Sequence, residues 1–111
     1  MPEKEFKPAE ELEVRKKEKL ISIAKECAKV LKNKYKVKRV FLIGSLAKGF
    51  IHDRSDIDLV AEGLPSEFYI KALTELYDLL PPGIELNLIP YEDAFRSLRE
   101  KTINEGRLIY G

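Results

Sequence analysis

A single cysteine, Cys27, and a single histidine, His52, stand among the 111 residues. One thiol builds neither an internal disulfide framework nor a cysteine zinc site, and one imidazole does not make a histidine metal centre. No apolar run approaches the roughly 18–20 residues of a membrane-spanning helix. The opening Met1-Pro2-Glu3-Lys4-Glu5 lacks the apolar stretch of a signal peptide, so a cytoplasmic protein is the economical expectation. Neither the Gly-x-x-x-x-Gly-Lys-Ser/Thr loop nor the Gly-x-Gly-x-x-Gly fingerprint occurs, which removes two common ways of holding a nucleotide.

What is present is enough for one small domain with a real core: 44% of the residues are apolar and 35% charged. Residues 1–9, with Pro2 and Pro8, are expected to form a loose leader, and 10–111 a single domain. The net charge of +1 hides an asymmetry. Residues 1–39 carry 13 Lys/Arg against 7 Asp/Glu, whereas 40–111 carry 7 against 12. A nucleic-acid binder would be basic over its working face, so an acidic C-terminal two-thirds argues against one and suits a site that recruits cations.

Between Glu10 and Tyr35 the residues Leu20, Ile21, Ala24, Cys27, Ala28, Leu31 and Tyr35 recur at three- and four-residue spacing, which predicts a long amphipathic helix. Lys38–Ile43 and Asp56–Ala61 read as strands, the first running into a turn at Gly44. Ser66 is expected to cap a helix from Glu67 to Leu80 whose inner stripe is Tyr69, Ala72, Leu73, Leu76 and Leu80. Ile84–Ile89 is a third strand with Ile84, Leu86 and Leu88 on one side and Glu85 and Asn87 on the other. Glu92–Glu105 reads as a last helix, with Ala94, Phe95 and Leu98 inward and Gly106 as its C-cap, before a short extended tail, Arg107–Tyr110. The class expected is α/β (α+β): a small mixed sheet with helices packed on one face.

The chemistry lies in Gly44-Ser45 and Asp56-Ile57-Asp58. Alternation points Asp56 and Asp58 to the same side, roughly 6–7 Å apart along the strand. Carboxylates so placed repel each other unless a cation joins them, and oxygen-only ligands suit Mg²⁺ or Mn²⁺. Glu85 is a third candidate carboxylate for the same face. Gly44 lets the backbone approach a phosphate closely; its amides with the Ser45 hydroxyl, and Lys48 as a point charge, are candidate nucleotide contacts. Taken singly, each of these fits an ordinary turn or a solvated strand.

Together they are more specific. The segment VFLIGSLAKGFIHDRSDIDLV, with its Gly-Ser-x₁₀-Asp-x-Asp spacing, resembles the signature of the DNA polymerase β-like nucleotidyltransferase superfamily. Within it the chain looks like a minimal nucleotidyltransferase, over roughly residues 20–110. The resemblance implies the polymerase β-like fold and transfer of a nucleoside monophosphate, most simply AMP from ATP, to a hydroxyl. It implies that Asp56, Asp58 and Glu85 hold two Mg²⁺ ions (Mn²⁺ as a substitute), Glu85 also taking the proton of the attacking hydroxyl. It implies that Gly44 and Ser45 grip the β- and γ-phosphates, with Lys48 where an arginine is common. Glu85 departs from the commoner aspartate by one methylene. Such minimal chains pair with a small helical HEPN protein and several act as antitoxins by adenylylating it, so the acceptor is expected on a partner. The exposed part of the first helix, or the set Tyr69, Tyr77 and Tyr91, is a candidate docking surface, and a homo-oligomer is a further way to complete the site. The alternatives are a non-catalytic module that neutralises its partner by contact, and a small-molecule nucleotidyltransferase. His52, Asp53 and Arg54 are weaker candidates for nucleotide or acceptor contact.

Overall fold

The apolar residues at every second position of the strands at 39–43, 56–62 and 85–90 set the architecture. The computed structural model describes residues 8–47 and 56–111. The order is α1 (Pro8–Tyr35), β1 (Arg39–Ile43), a one-turn α2 (Gly44–Ala47), β2 (Asp56–Glu62), α3 (Tyr69–Tyr77), β3 (Glu85–Pro90), α4 (Arg96–Glu105) and β4 (Arg107–Tyr110). The sheet runs β3-β2-β1-β4. β1 is antiparallel to both β2 and β4, and β2 is parallel to β3, so the sheet is mixed, as expected. The tail Arg107–Tyr110 is a true fourth strand.

One face of this sheet is apolar. Val40 and Leu42 of β1, Ile57, Leu59 and Ala61 of β2, and Leu86 and Leu88 of β3 join the α1 stripe Leu20, Ala24, Cys27, Ala28, Leu31 and Tyr35 in one cluster, with Ala72 and Leu76 of α3. The 3.6-residue stripe of α1 therefore meets the period-2 stripe of the strands, and the burial of both holds helix and sheet together. The other face carries Asp56, Asp58, Val60 and Glu62 of β2, aligned with Glu85, Asn87 and Ile89 of β3. Phe41 and Val60 are buried there although they lie outside the main cluster. The crossover from β3 to β4 runs across the sheet in the opposite sense to that from β2 to β3, which places α4 over this second face. Consistently, Gly106 at the end of α4 abuts the Ile43 side chain.

Three local expectations need correction. Ser66 does not cap α3: residues Ser66–Phe68 form a 3₁₀ turn, and the helix proper starts at Tyr69 behind Phe68, with no side-chain cap. The last helix begins at Arg96, not Glu92, because Tyr91–Asp93 is another 3₁₀ turn and Ala94 and Phe95 are extended. Phe95, expected inward, is 84% exposed.

The tyrosines expected at a partner surface have a structural task. β3 is an edge strand, and the Tyr69 hydroxyl donates to the Leu88 carbonyl at 2.8 Å. The Tyr77 hydroxyl donates to the Leu86 carbonyl at 3.1 Å and accepts from the Leu86 N–H at 3.2 Å. Two phenols on α3 thus occupy backbone groups that would otherwise template another strand. Tyr77→Phe should lower stability by about 1 kcal/mol, since water at this partly exposed edge replaces only part of what is lost. Urea unfolding would read this as a lower midpoint with an unchanged m-value.

Two groups on α1 make the fold sensitive to alkali. Burial, with a smaller push from Glu26, raises the Cys27 thiol to about 11. Burial, reinforced by the 2.5 Å hydrogen bond from its hydroxyl to Glu75, raises Tyr35 to about 12. Both are held protonated by folding, so their contribution is complete below the unfolded-state values of 9.0 and 10.0 and is lost as pH rises through the folded ones. The urea midpoint should fall between pH 9 and pH 12, and Cys27→Ala with Tyr35→Phe should flatten that fall.

Candidate active site

The acidic face is open where β2 begins. Antiparallel pairing sets Asp58 opposite Ile43, the last residue of β1, so the turn at Gly44 rises beside the Asp58 carboxylate. Gly44 has φ +81, and a Cβ there would lie 2.5 Å from Asp58 Oδ2. Only glycine gives this backbone its left-handed conformation and lets the carboxylate sit so close. Gly44 was expected at a phosphate; what the geometry gives is a close approach to Asp58.

Parallel pairing sets β3 on the other side. Asp56 is level with Glu85, and Asp58 with Asn87. The Asn87 side-chain amide donates to Asp58 Oδ1 at 2.7 Å. Asp58 is thereby held by Asn87 at one oxygen, while its other oxygen fills the space that a side chain at residue 44 would need. Sequence reasoning noticed Asn87 only as the neighbour of Glu85. Its partnership with Asp58 depends on strand register between residues 29 apart, which no local pattern reveals.

The face carries Asp56, Asp58 and Glu85 together on two adjacent strands. Among the described residues, no three His, Cys, Asp or Glu side chains form a group that could hold a metal ion. The donors are all oxygen, and Asp56 and Asp58 alternate onto one side, so the pair fits a hard divalent cation. Ser45 lies in α2, whereas Lys48, His52, Asp53 and Arg54 lie outside the described residues.

Four residues further along β2 the same face changes character. Arg39 Nε donates to Glu62 Oε1 at 2.6 Å, with the guanidinium 5.2 Å from the Phe41 ring centre. The Arg39 hydrogen bond holds the Glu62 carboxyl below its ordinary range, outweighing the opposing effect of burial. Glu62 is therefore committed to Arg39, and the acids not committed to a cation lie at the Asp56–Asp58 end. From there a groove of about 440 Å³ leads round the β3 edge, between Asp58, Asn87 and Ile89 and the α3 side chains Tyr69, Leu73 and Tyr77.

Comparison with known proteins decides the family. The family model for "Polymerase beta, Nucleotidyltransferase" matches residues 25–111. The chain belongs to the polymerase β nucleotidyltransferases. A relative from Methanocaldococcus jannaschii, named "Putative protein adenylyltransferase MJ0604", is 33% identical over 95 residues, covering 78% of this chain and 93% of its own. A second from that organism, "Putative protein adenylyltransferase MJ0128", is 36% identical over 90 residues, covering 79% and 90%. Among solved structures, a toxin–antitoxin crystal structure with AMP-PNP superposes with a TM-score of 0.63 at 22% identity, over 80% of this chain and 73% of that one. The MntA toxin–antitoxin mutant D39ED41E gives 0.61 at 19%, over 86% and 73%. At these identities the structures establish the shared fold.

Proposed function

We propose that this nucleotidyltransferase moves AMP from ATP to a hydroxyl of a partner protein of the HEPN type, in the cytoplasm, as the antitoxin half of a toxin–antitoxin pair. The observation that carries it is the Asp56–Asp58 pair beside the Gly44 turn, in a chain related to proteins named as protein adenylyltransferases. Asp56 and Asp58 are the residues to hold Mg²⁺. Glu85, level with Asp56 on β3 but not grouped with the pair among the described residues, would complete a two-ion site. When bound, the ions would supply charge neutralisation for the triphosphate and the attacking oxygen. Gly44 and Ser45 take the β- and γ-phosphates on the β1 side of Asp58, and Lys48, outside the described residues, is the candidate point charge for them.

The reaction is an in-line displacement. The acceptor oxygen forms a bond to the α-phosphorus, the bond from that phosphorus to the bridging oxygen breaks, and pyrophosphate leaves. The hydroxyl proton passes to Glu85. With the leaving group on the Gly44 side, the acceptor approaches from the opposite side, where the groove at the β3 edge opens. That geometry supports an acceptor delivered by another chain.

A second reading has its own support. The absence of a three-acid metal group among the described residues, with an amide at Asn87 beside Asp58, favours a module that neutralises its partner by contact alone. Incubation with α-labelled ATP, Mg²⁺ or Mn²⁺, and the partner protein separates the two. A partner heavier by one or more AMP units is the expected result; a stable complex with unmodified partner would support contact alone.

A further inference from the structure

We propose that Asn87 is a positioning residue for the metal-binding carboxylate Asp58, building half of the cation site before any ion arrives; this rests on the site assigned above. An ionised carboxylate only accepts hydrogen bonds, so the Asn87 amide must present its nitrogen to Asp58 Oδ1, as it does at 2.7 Å. Gly44 stands against the other oxygen, Oδ2, with no room there for even a methyl group. The Asn87 bond fixes the orientation of the Asp58 carboxylate, and the missing side chain at Gly44 leaves the space that this orientation needs.

Among the described residues, Asp56 and Glu85 share the face but accept no side-chain hydrogen bond of this kind. The site is therefore asymmetric: one carboxylate is fixed by its neighbours, and the others move to meet a cation. A ligand fixed in advance does not pay its ordering entropy on binding. Partners that orient metal ligands in this way typically change metal affinity by about 10–100-fold when removed. Asn87 also lines the groove at the β3 edge, so the same side chain borders both the cation site and the proposed acceptor approach.

The test is Mn²⁺ affinity of the full chain, read from the free-ion electron paramagnetic resonance signal, so that no turnover is needed. Asn87→Ala should weaken Mn²⁺ binding about tenfold. In an Asp58→Asn background the same substitution should have almost no further effect, because Asn87 acts through Asp58. Asn87→Asp keeps the size but replaces a donor with a charge. Its metal-free melting temperature should fall below that of Asn87→Ala, and Mn²⁺ should close the gap. Wild-type affinity in Asn87→Ala, or an equal loss in both backgrounds, overturns the positioning role while leaving the nucleotidyl-transfer proposal standing. Unchanged Mn²⁺ binding in Asp58→Asn alone overturns both, since the carboxylate that Asn87 positions would then not be a ligand.

Discussion

Asp58→Asn should reduce AMP transfer by on the order of a thousandfold, about 4 kcal/mol of transition-state stabilisation. The substitution keeps shape and size, and its amide oxygen still accepts from Asn87, so local packing at β2 survives. What goes is the charge that balances a cation against a triphosphate. Asp58 is half-buried on the open face, outside the apolar cluster, so the metal-free chain should change in stability by less than about 0.5 kcal/mol. Asp56→Asn should behave alike. The two effects should be far from additive, because the carboxylates serve one reaction. Thermal unfolding gives the parallel measurement: Mn²⁺ with ATP should raise the wild-type melting temperature, and the double variant should lose that rise. Transfer persisting at the wild-type rate in Asp58→Asn would remove this face as the catalytic centre.

The parts of this site that share a strand were legible in the sequence. Asp56 and Asp58 alternate with Ile57 and Leu59, and period 2 alone puts the acids on one side and the aliphatics on the other. The α1 stripe was equally clear, since Leu20 to Tyr35 keep helical spacing over four turns and are buried as that spacing requires. The parts that depend on register were not. Nothing near Asn87 in the chain says that it faces Asp58 rather than solvent, since the pairing of β2 with β3 is set by how α3 docks between them. The edge-covering task of Tyr69 and Tyr77 was hidden for the same reason. A phenol on a helix is assigned to an edge carbonyl only once the edge is known.

The starts of α3 and α4 failed for a different reason. Ser66 follows Pro65 and Glu92 follows Pro90 and Tyr91, arrangements that satisfy the usual rules for a helix start. In both places one 3₁₀ turn intervenes before the helix. Ala94 and Phe95, extended at ψ 147 and 154, then swing the chain so that Phe95 points to solvent. Periodicity assumes that a helix, once begun, is continuous. Broken by two extended residues, the stripe Ala94, Phe95, Leu98 no longer shares a face, and Thr102 is the buried residue of α4.

Gly44→Ala should damage both the turn and the carboxylate beside it, and Gly83→Ala is its control. Both glycines have nearly the same φ, +81 and +87. An alanine at either place carries the left-handed strain of about 1–3 kcal/mol. At Gly83 a Cβ meets nothing within 4 Å, so strain is the whole effect. At Gly44 the methyl lands 2.5 Å from Asp58 Oδ2, and that carboxylate, held by Asn87 on its far side, can yield only by breaking the 2.7 Å bond. Gly44→Ala should therefore lose stability beyond Gly83→Ala and lose Mn²⁺ affinity with it, whereas Gly83→Ala should bind Mn²⁺ as the wild type does. Chemical denaturation and Mn²⁺ titration on the two variants measure both quantities. Equal Mn²⁺ affinity in the pair would mean that Asp58 has room to move, and that the close approach at Gly44 serves the turn alone. Unequal affinity with equal stability would place the whole effect on the carboxylate, and would tie the glycine of this turn to the cation.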